Sequence, residues 1–441
     1  MVYGSAKMRF MEIEYEFAMP FHRRSCNEPL QSVEPGGALR AAGIAGPHAA
    51  PACRCGEYIG ATMKIIAVNA VGLVGKTPKG GWSTEIAPQD SVHTLVAVHT
   101  EAGVTGFGSV FTNHELVQAA FRVLRPLIVG QNALEPERIT EHVAQHTFWM
   151  GRGGTLTHTQ SGIDIALWDI LGKVTGQPVG RLLGGCYHKR VKAYASLLMD
   201  EPSRMVDVIN EHREHGFRAF KIGWGPFGRV NDKVDEQIVK AARRAVGEDV
   251  DLMVDAGASD AFWPHGYKWA IRTADMLSNY NVAWFEEPLN PDSIDDYIQL
   301  RNQSRIAIAG GEVLTRRQSF TPWLTRGALD IVQPDVTKVG GLSEQRRIAR
   351  LAEDCGVRYV GHGWNTALGL AADLHMAASC ARSTFVEYLV GSPYIDDITR
   401  HRWCLDDDGM LAIPESAGLG VALDPDRLAQ YVGDPRPLFE P

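Results

Sequence analysis

Apolar runs and amphipathic stretches alternate along the chain after Gly185. The runs V-K-A-Y-A-S, R-A-F-K-I-G, V-D-L-M-V-D-A, V-A-W-F-E-E-P, R-I-A-I-A-G-G-E, L-D-I-V-Q-P-D, R-Y-V-G-H-G and T-F-V-E-Y are short and rich in β-branched or aromatic residues. Between them, segments such as Val234 to Val246, Gly266 to Ser278 and Ser343 to Cys355 repeat apolar positions with the 3.6-residue period of helices lying on a parallel sheet. Eight runs are what a (β/α)8 barrel requires. The pattern predicts an α/β TIM barrel over residues 187–392.

Residues 63–186 carry a different pattern, that of an α+β domain. Strand-like runs at Ile65 to Val74 and His93 to His99 meet a turn at Glu101 to Gly108. Helical periods follow over Leu116 to Leu127, Glu135 to Trp149 and Ser161 to Val174. The last sets Ile163, Leu167 and Ile170 on one stripe and ends at a glycine cap. Residues 393–441 form a C-terminal segment. Residues 1–62, with R-R-S-C-N-E-P, E-P-G-G and G-P-H-A-A-P-A-C, hold no sustained period and no signal-peptide core, and are expected to be disordered or a non-native extension from an overcalled start.

Composition narrows the partners. The chain has 441 residues, 45% hydrophobic and 22% charged, with a net charge of −8. Nucleic acid and anionic membranes need clustered Lys and Arg, and no basic stripe is present. No apolar stretch approaches the roughly 20 residues that span a bilayer. The seven cysteines are dispersed except for Cys53 and Cys55, which suggests reduced thiols in a cytoplasm, mostly as small core residues.

Polar residues recur at the ends of the second to the eighth run: Lys221, Asp255, Glu286 with Glu287, Glu312, Asp335, His362 and Glu387. In a closed parallel barrel the C-terminal strand ends share one mouth, so these distant positions converge. A single such acid reads as a helix cap or loop residue; Asp255, Glu286 and Glu312 on three successive strands read as an oxygen-only site for a hard divalent cation, Mg²⁺ first and Mn²⁺ second. Strand alternation turns the Glu287 side chain away from Glu286, into a supporting position. Asp335 and His362 on consecutive strands can share a hydrogen bond that fixes the imidazole tautomer and makes a general base. Lys221 points into the same mouth and can bind a substrate carboxylate. Trp224 and Trp364 flank these residues as pocket wall. A rival reading takes G-W-G-P-F-G, Gly223 to Gly228, as a dinucleotide-binding turn with Asp255 as ribose acid, hence an NAD-dependent dehydrogenase. The lysine before the loop, the proline within it and the later ring of acids do not suit that fold.

With these residues in hand, the chain from Met63 onward resembles the enolase superfamily, mandelate racemase-like branch. The likeness lies in S-G-I-D-I-A-L-W-D-I-L-G-K, G-Q-P-V-G-R-L-L-G-G, G-F-R-A-F-K, V-D-A, F-E-E-P-L, G-G-E, Q-P-D-V-T-K-V-G-G and G-H-G. The resemblance implies a capping α+β domain built from the N-terminal segment and the C-terminal end, and Mg²⁺ on Asp255, Glu286 and Glu312. It also implies a His362–Asp335 dyad, Glu387 as an electrophilic or hydrogen-bonding acid near the substrate carboxylate, and a homo-oligomer, dimer or octamer. The shared chemistry is abstraction of the proton α to a carboxylate. Two departures narrow it: Lys221-Ile222-Gly223 lacks the second lysine of the racemases, and Asp335 stands where the lactonising branch places a lysine. A single imidazole base suits elimination of water from a sugar acid, giving a 2-keto-3-deoxy acid. Racemase, epimerase and lactone cycloisomerase are the alternatives within the superfamily, and a non-catalytic carboxylate-binding protein outside it. Ser196, Lys338, Trp82 and Arg152 join Glu287, Trp224 and Trp364 as candidates for substrate binding or support of the site, and loops at Gly75 to Glu85 and Phe107 to Asn113 are expected to set specificity.

Overall fold

The computed structural model describes residues 63–74, 93–257 and 265–441. The expectation for residues 1–62, the Cys53/Cys55 pair, Trp82 and the Gly75–Glu85 loop lie outside the described residues. Strands β1 (Ile65–Gly72), β2 (His93–Thr100) and β3 (Thr105–Phe111) form an antiparallel sheet in that order. Helices α1 (His114–Ile128), α2 (Pro136–His146) and α3 (Gly154–Thr175) follow, with α1 and α3 packed on the sheet. Strand β3 takes most of the stretch expected to be a turn and a specificity loop, and the reversal needs only the residues around Gly103, at φ 75°. Two glycines made this strand hard to read from propensity, and packing explains them. A Cβ on Gly106 would lie 2.0 Å from Ala166 O, and one on Gly108 would lie 1.9 Å from Gly162 O, so only glycine lets β3 meet α3 this closely.

The long helix α3 is apolar on two faces, which is why its stripe gave only half of its packing. Ile163, Leu167 and Ile170 pack with Val96, Val98 and Val110 of the sheet, while Ile165 and Trp168 pack with Leu342 and Leu368 on the other side. The helix begins seven residues before the predicted start, and it ends at the expected glycine, Gly176, in the left-handed region at φ 65°.

After α4 (Val179–Leu182) the parallel strands begin: β4 (Arg190–Leu198), β5 (Ala219–Gly223), β6 (Asp251–Asp255), β7 (Trp284–Glu286), β8 (Ala307–Gly310), β9 (Ile331–Val332), β10 (Arg358–Tyr359) and β11 (Phe385–Leu389). They are connected in turn by α5 (Pro202–Glu214), α6 (Asp232–Val246), α7 (Tyr267–Ser278), α8 (Ile294–Gln303), α9 (Arg316–Thr325), α10 (Gly341–Asp354) and α11 (Ala367–Ala378). The ladder runs β10-β9-β8-β7-β6-β5-β4-β11, and at the seam Gly363 N–H donates to Glu387 Oε2 at 2.8 Å. This sequential order lacks the reversal at which a dinucleotide fold binds its ligand, which removes the dehydrogenase reading. The short α12 (Pro393–Asp396) follows β11. The strand β12 (Met410–Ala412) then pairs antiparallel with β4, and the last residues reach the antiparallel sheet, where Val74 N–H donates to Tyr431 O at 2.7 Å.

One apolar layer plugs the barrel: Tyr194, Ala219, Met253, Trp284, Ala309, Ile331, Val360 and Phe385, one from each strand or its immediate end. No described helix is long and apolar enough to cross a membrane. Of the four described cysteines, Cys186 and Cys355 are exposed and Cys380 and Cys404 half-buried, so none is the core residue expected.

Gly108→Ala forces a methyl group into backbone with no room to give. Overpacking of this kind costs about 1–3 kcal/mol, the expected loss of unfolding free energy in a urea titration.

Candidate active site

Strand side chains alternate, so the residues two positions beyond the apolar plug share its inward direction. Those residues are Ser196, Lys221, Asp255, Glu286, Gly311, Gln333, His362 and Glu387. A dry floor thus supports a polar layer. The β8 position departs from this alternation: Gly311, at φ 115°, turns the chain so that Glu312 supplies the carboxylate instead.

One oxygen from each of Asp255, Glu286 and Glu312 lies within 4.8 Å of the others, and all three side chains are buried. Lys221 Nζ approaches Glu286 Oε1 at 2.5 Å, Glu387 Oε1 at 3.0 Å and Asp255 Oδ2 at 3.4 Å. Burial works against its charge, but these carboxylates outweigh burial and hold Lys221 well above the usual lysine range. The acids remain short of positive charge. Burial raises Asp255 to about 6 in spite of Lys221, and burial with Glu312 and Asp255 raises Glu287 well above the carboxylate range.

Glu287 departs from the reading that strand alternation turns it away. At φ 41° it leaves strand geometry, and its Oε1 accepts from Gly311 N–H at 3.2 Å, which keeps the carboxylate beside the cluster. Glu286 Oε2 accepts from Trp284 Nε1 at 2.9 Å and Gln333 Nε2 at 2.8 Å. Neither donor was singled out from sequence, although both sit on the inward side of their strands: Trp284 two residues before Glu286, Gln333 two before Asp335.

Across the mouth, His362 Nδ1 lies 2.8 Å from Asp335 Oδ2 and Nε2 lies 3.1 Å from Glu312 Oε2. Asp335 Oδ1 accepts from Thr337 N–H at 2.8 Å, and Lys338 Nζ is 3.5 Å from Oδ2. Against burial, Lys338, His362 and Thr337 hold Asp335 well below the usual carboxylate range, so it stays an acceptor. Burial lowers His362, but Glu312, Glu387 and Asp335 more than compensate and raise it to about 9. Glu387 accepts from Tyr194 OH at 3.1 Å and also bonds Ser196. Burial opposes its ionisation, but Lys221, His362, Ser196 and Gly363 N–H pull it down to about 2.

Trp224 and Trp364 stack in parallel planes, with ring centroids 5.6 Å apart, after the β5 and β10 ends. No contact joins Arg152 or Phe107 to this cluster among the described residues. Arg152 makes no ion pair among the described residues and lies 5.8 Å over the half-exposed Phe148 ring, while Phe107 packs on Phe439 and under Lys173. The arrangement can hold a divalent cation on three carboxylates and present a tautomer-fixed imidazole to whatever lies between.

Residues 204–427 match the enolase C-terminal domain-like family model, and residues 84–184 match the mandelate racemase / muconate lactonizing enzyme N-terminal domain. The chain is 33% identical over 386 residues to D-galactarolactone cycloisomerase of Agrobacterium fabrum, covering 84% of this chain and 99% of that one. It is 30% identical to D-xylonate dehydratase of Haloferax volcanii, over 78% of this chain and 87% of the relative. The crystal structure of 3,6-anhydro-D-galactonate cycloisomerase from Zobellia galactanivorans superposes with a TM-score of 0.75 at 29% identity, covering 84% of this chain and 99% of that one.

Lys221→Met strips three buried carboxylates of their ammonium. Removing one partner of a buried ion pair costs roughly 3–5 kcal/mol, a drop expected in urea unfolding with chelator present.

Proposed function

The chain belongs to the enolase superfamily, in its mandelate racemase-like branch, and on that premise we propose that it is a Mg²⁺-dependent sugar-acid dehydratase. It removes the proton α to the substrate carboxylate and expels the 3-hydroxyl, giving a 2-keto-3-deoxy acid. The observation that carries the reading is the His362 imidazole, anchored on Asp335 through Nδ1 and facing the carboxylate triad through Nε2. The names of the two relatives, a D-xylonate dehydratase and a D-galactarolactone cycloisomerase, support a sugar acid or its lactone as the substrate class.

Asp255, Glu286 and Glu312 are the residues that would hold the cation: they offer oxygen only, converge, and carry more buried negative charge than Lys221 offsets. Bound there, Mg²⁺ supplies Lewis-acid stabilisation for negative charge developing on the substrate carboxylate. Lys221 adds a fixed positive charge on the same side. A cation on Glu312 would offset the carboxylate that most raises His362, leaving a neutral imidazole whose Nε2 takes the α-proton, and Asp335, accepting the Nδ1 proton, stabilises the imidazolium that results. Hydroxide leaves poorly unless protonated, and the His362 imidazolium just formed is the acid at hand. The opposite face carries no second lysine: Gly223 stands there, and a Cβ on it would lie 2.8 Å from Asp255 Cβ. Racemisation, which needs a base on each face, is therefore the weaker reading.

Lactone cycloisomerisation is the second reading, favoured by the 33% identical relative. The same α-proton abstraction would then expel a ring oxygen, which needs no acid to leave.

Aldonic acids, aldaric acids and their lactones, incubated with Mg²⁺, are expected to yield a 2-keto-3-deoxy product from an open-chain acid with loss of water. Product from lactones alone selects the second reading, and α-deuterium exchange with inversion but no elimination rejects both. His362→Asn should lower turnover roughly 10²–10⁴-fold, the usual contribution of a general base, with the circular dichroism spectrum unchanged. Mg²⁺ should raise the melting temperature of the wild type in a concentration-dependent way and that of Glu312→Gln far less.

A further inference from the structure

A buried cation is left over when the charges between α2, α9 and α10 are paired. Glu137 lies 3.0 Å from Arg346 and 3.2 Å from Arg347, while Glu141 and Glu344 each meet both Arg317 and Arg347. Every glutamate here already has two arginines. Arg316, the first residue of α9, makes no side-chain hydrogen bond and no ion pair among the described residues, and its enclosed Nε is unsatisfied. Burial opposes it, but Gln145, Arg317, Arg316 and Arg347 together hold Glu141 below the usual carboxylate range, so Arg316 acts on this cluster without pairing in it.

Only 9% of Arg316 is exposed, and a guanidinium buried without a counter-charge is costly. Its backbone adds to that cost, since φ 57° places a residue with a Cβ in the left-handed region. Two bonds hold the turn: Arg316 N–H donates to Val339 O at 3.0 Å, and Arg317 N–H to Glu344 Oε2 at 3.0 Å. The fold thus keeps an unpaired cation in place rather than letting it swing into water.

The surroundings suit an anion. A Cβ on Gly153 would lie 2.5 Å from Thr315 Oγ1, so the residue before α3 touches the residue before α9. Gly153 has no side chain with which to cap α3, and the Thr315 side chain makes no cap bond on α9. Helix N-termini carry partial positive charge and attract oxyanions. Arg152, beside Gly153, adds a second guanidinium with no ion pair among the described residues.

We propose that Arg316 anchors a site for a small oxyanion, a carboxylate or phosphate group, where α3 and α9 begin. The planar fork of its guanidinium binds two oxygens of such a group at once. Arg316 follows Glu312 by four residues, at most about 14 Å of extended chain, so the anion is either the far carboxylate of a diacid substrate or a free ion. The first source rests on the proposed reaction; the second does not.

Both sources are tested with the full chain. Inorganic phosphate, titrated at constant ionic strength into metal-free protein, is expected to raise the melting temperature of the wild type and that of Arg316→Gln far less. If the far carboxylate of a substrate sits here, Arg316→Gln raises KM for an aldaric acid roughly 10–100-fold, the worth of one charge-assisted bond, and leaves KM for the aldonic acid of equal chain length within about twofold. Either result supports the site and identifies its source. Phosphate stabilising both proteins alike or neither, with the ratio of the two KM values unchanged, overturns it. Should neither acid be turned over, the proposed reaction fails and the phosphate titration alone decides the site. If Arg316→Gln does not fold, Arg316→Lys keeps the charge, loses the two-oxygen fork and is judged by the same comparisons.

Discussion

Excess buried negative charge at one end of a barrel is the constraint from which the rest follows. Asp255, Glu286, Glu287, Glu312, Asp335 and Glu387 are all buried, and the buried cations that touch them are Lys221, Lys338 and, when protonated, His362. Each unpaired charge there costs several kcal/mol, a penalty a fold with net stability of about 5–15 kcal/mol does not carry without a return. The partial answers are visible in the structure: raised Asp255 and Glu287, donors such as Trp284 and Gln333 on Glu286, and a lysine shared by three carboxylates. A divalent cation on the triad would offset this charge, and its binding would then couple function to stability at this site.

The barrel makes that arrangement possible by separating an apolar layer from a polar one. Tyr194, Trp284 and Phe385 pack edge to face below the mouth, with ring centroids 5.6 to 6.3 Å apart. Charges above this buried apolar floor interact more strongly than they would in solvent. The antiparallel sheet contributes through α3, whose Asp164 accepts from Ser343 N–H at 2.9 Å and so anchors the start of α10, the helix that carries Gln345. The same inward-facing alternation that builds the floor thus places the chemistry, and the elements around it hold the strand ends still.

Much of this was legible along the chain because a barrel repeats itself. Eight strand runs, the helices between them, and polar residues at each run's end gave the fold class, the acidic triad and the dyad from spacing alone. What escaped was local backbone geometry. Glu287, Trp224 and Arg316 have positive φ, as does Gly311, and each such residue breaks the alternation a linear reading assumes. Strand β3 was hidden by glycines whose necessity appears only when α3 is in place. Supporting residues such as Trp284 and Gln333 were within reach, since a period of two carried back from Glu286 and Asp335 lands on them.

The proposed preference for elimination over racemisation rests on the asymmetry of the mouth. On the β10 side an imidazole is fixed at both nitrogens, by Asp335 below and by the triad's Glu312 in front. On the β5 side Lys221 is occupied by three carboxylates, and the next inward position is Gly223, packed so closely on Asp255 that no side chain fits without displacing a residue of the triad. A mouth with one free base can take a proton from one face and return it only to that face. Such an enzyme changes its substrate by losing a group rather than by inverting a centre, and whether the departing oxygen belongs to a hydroxyl or a ring is then a property of the substrate more than of the base.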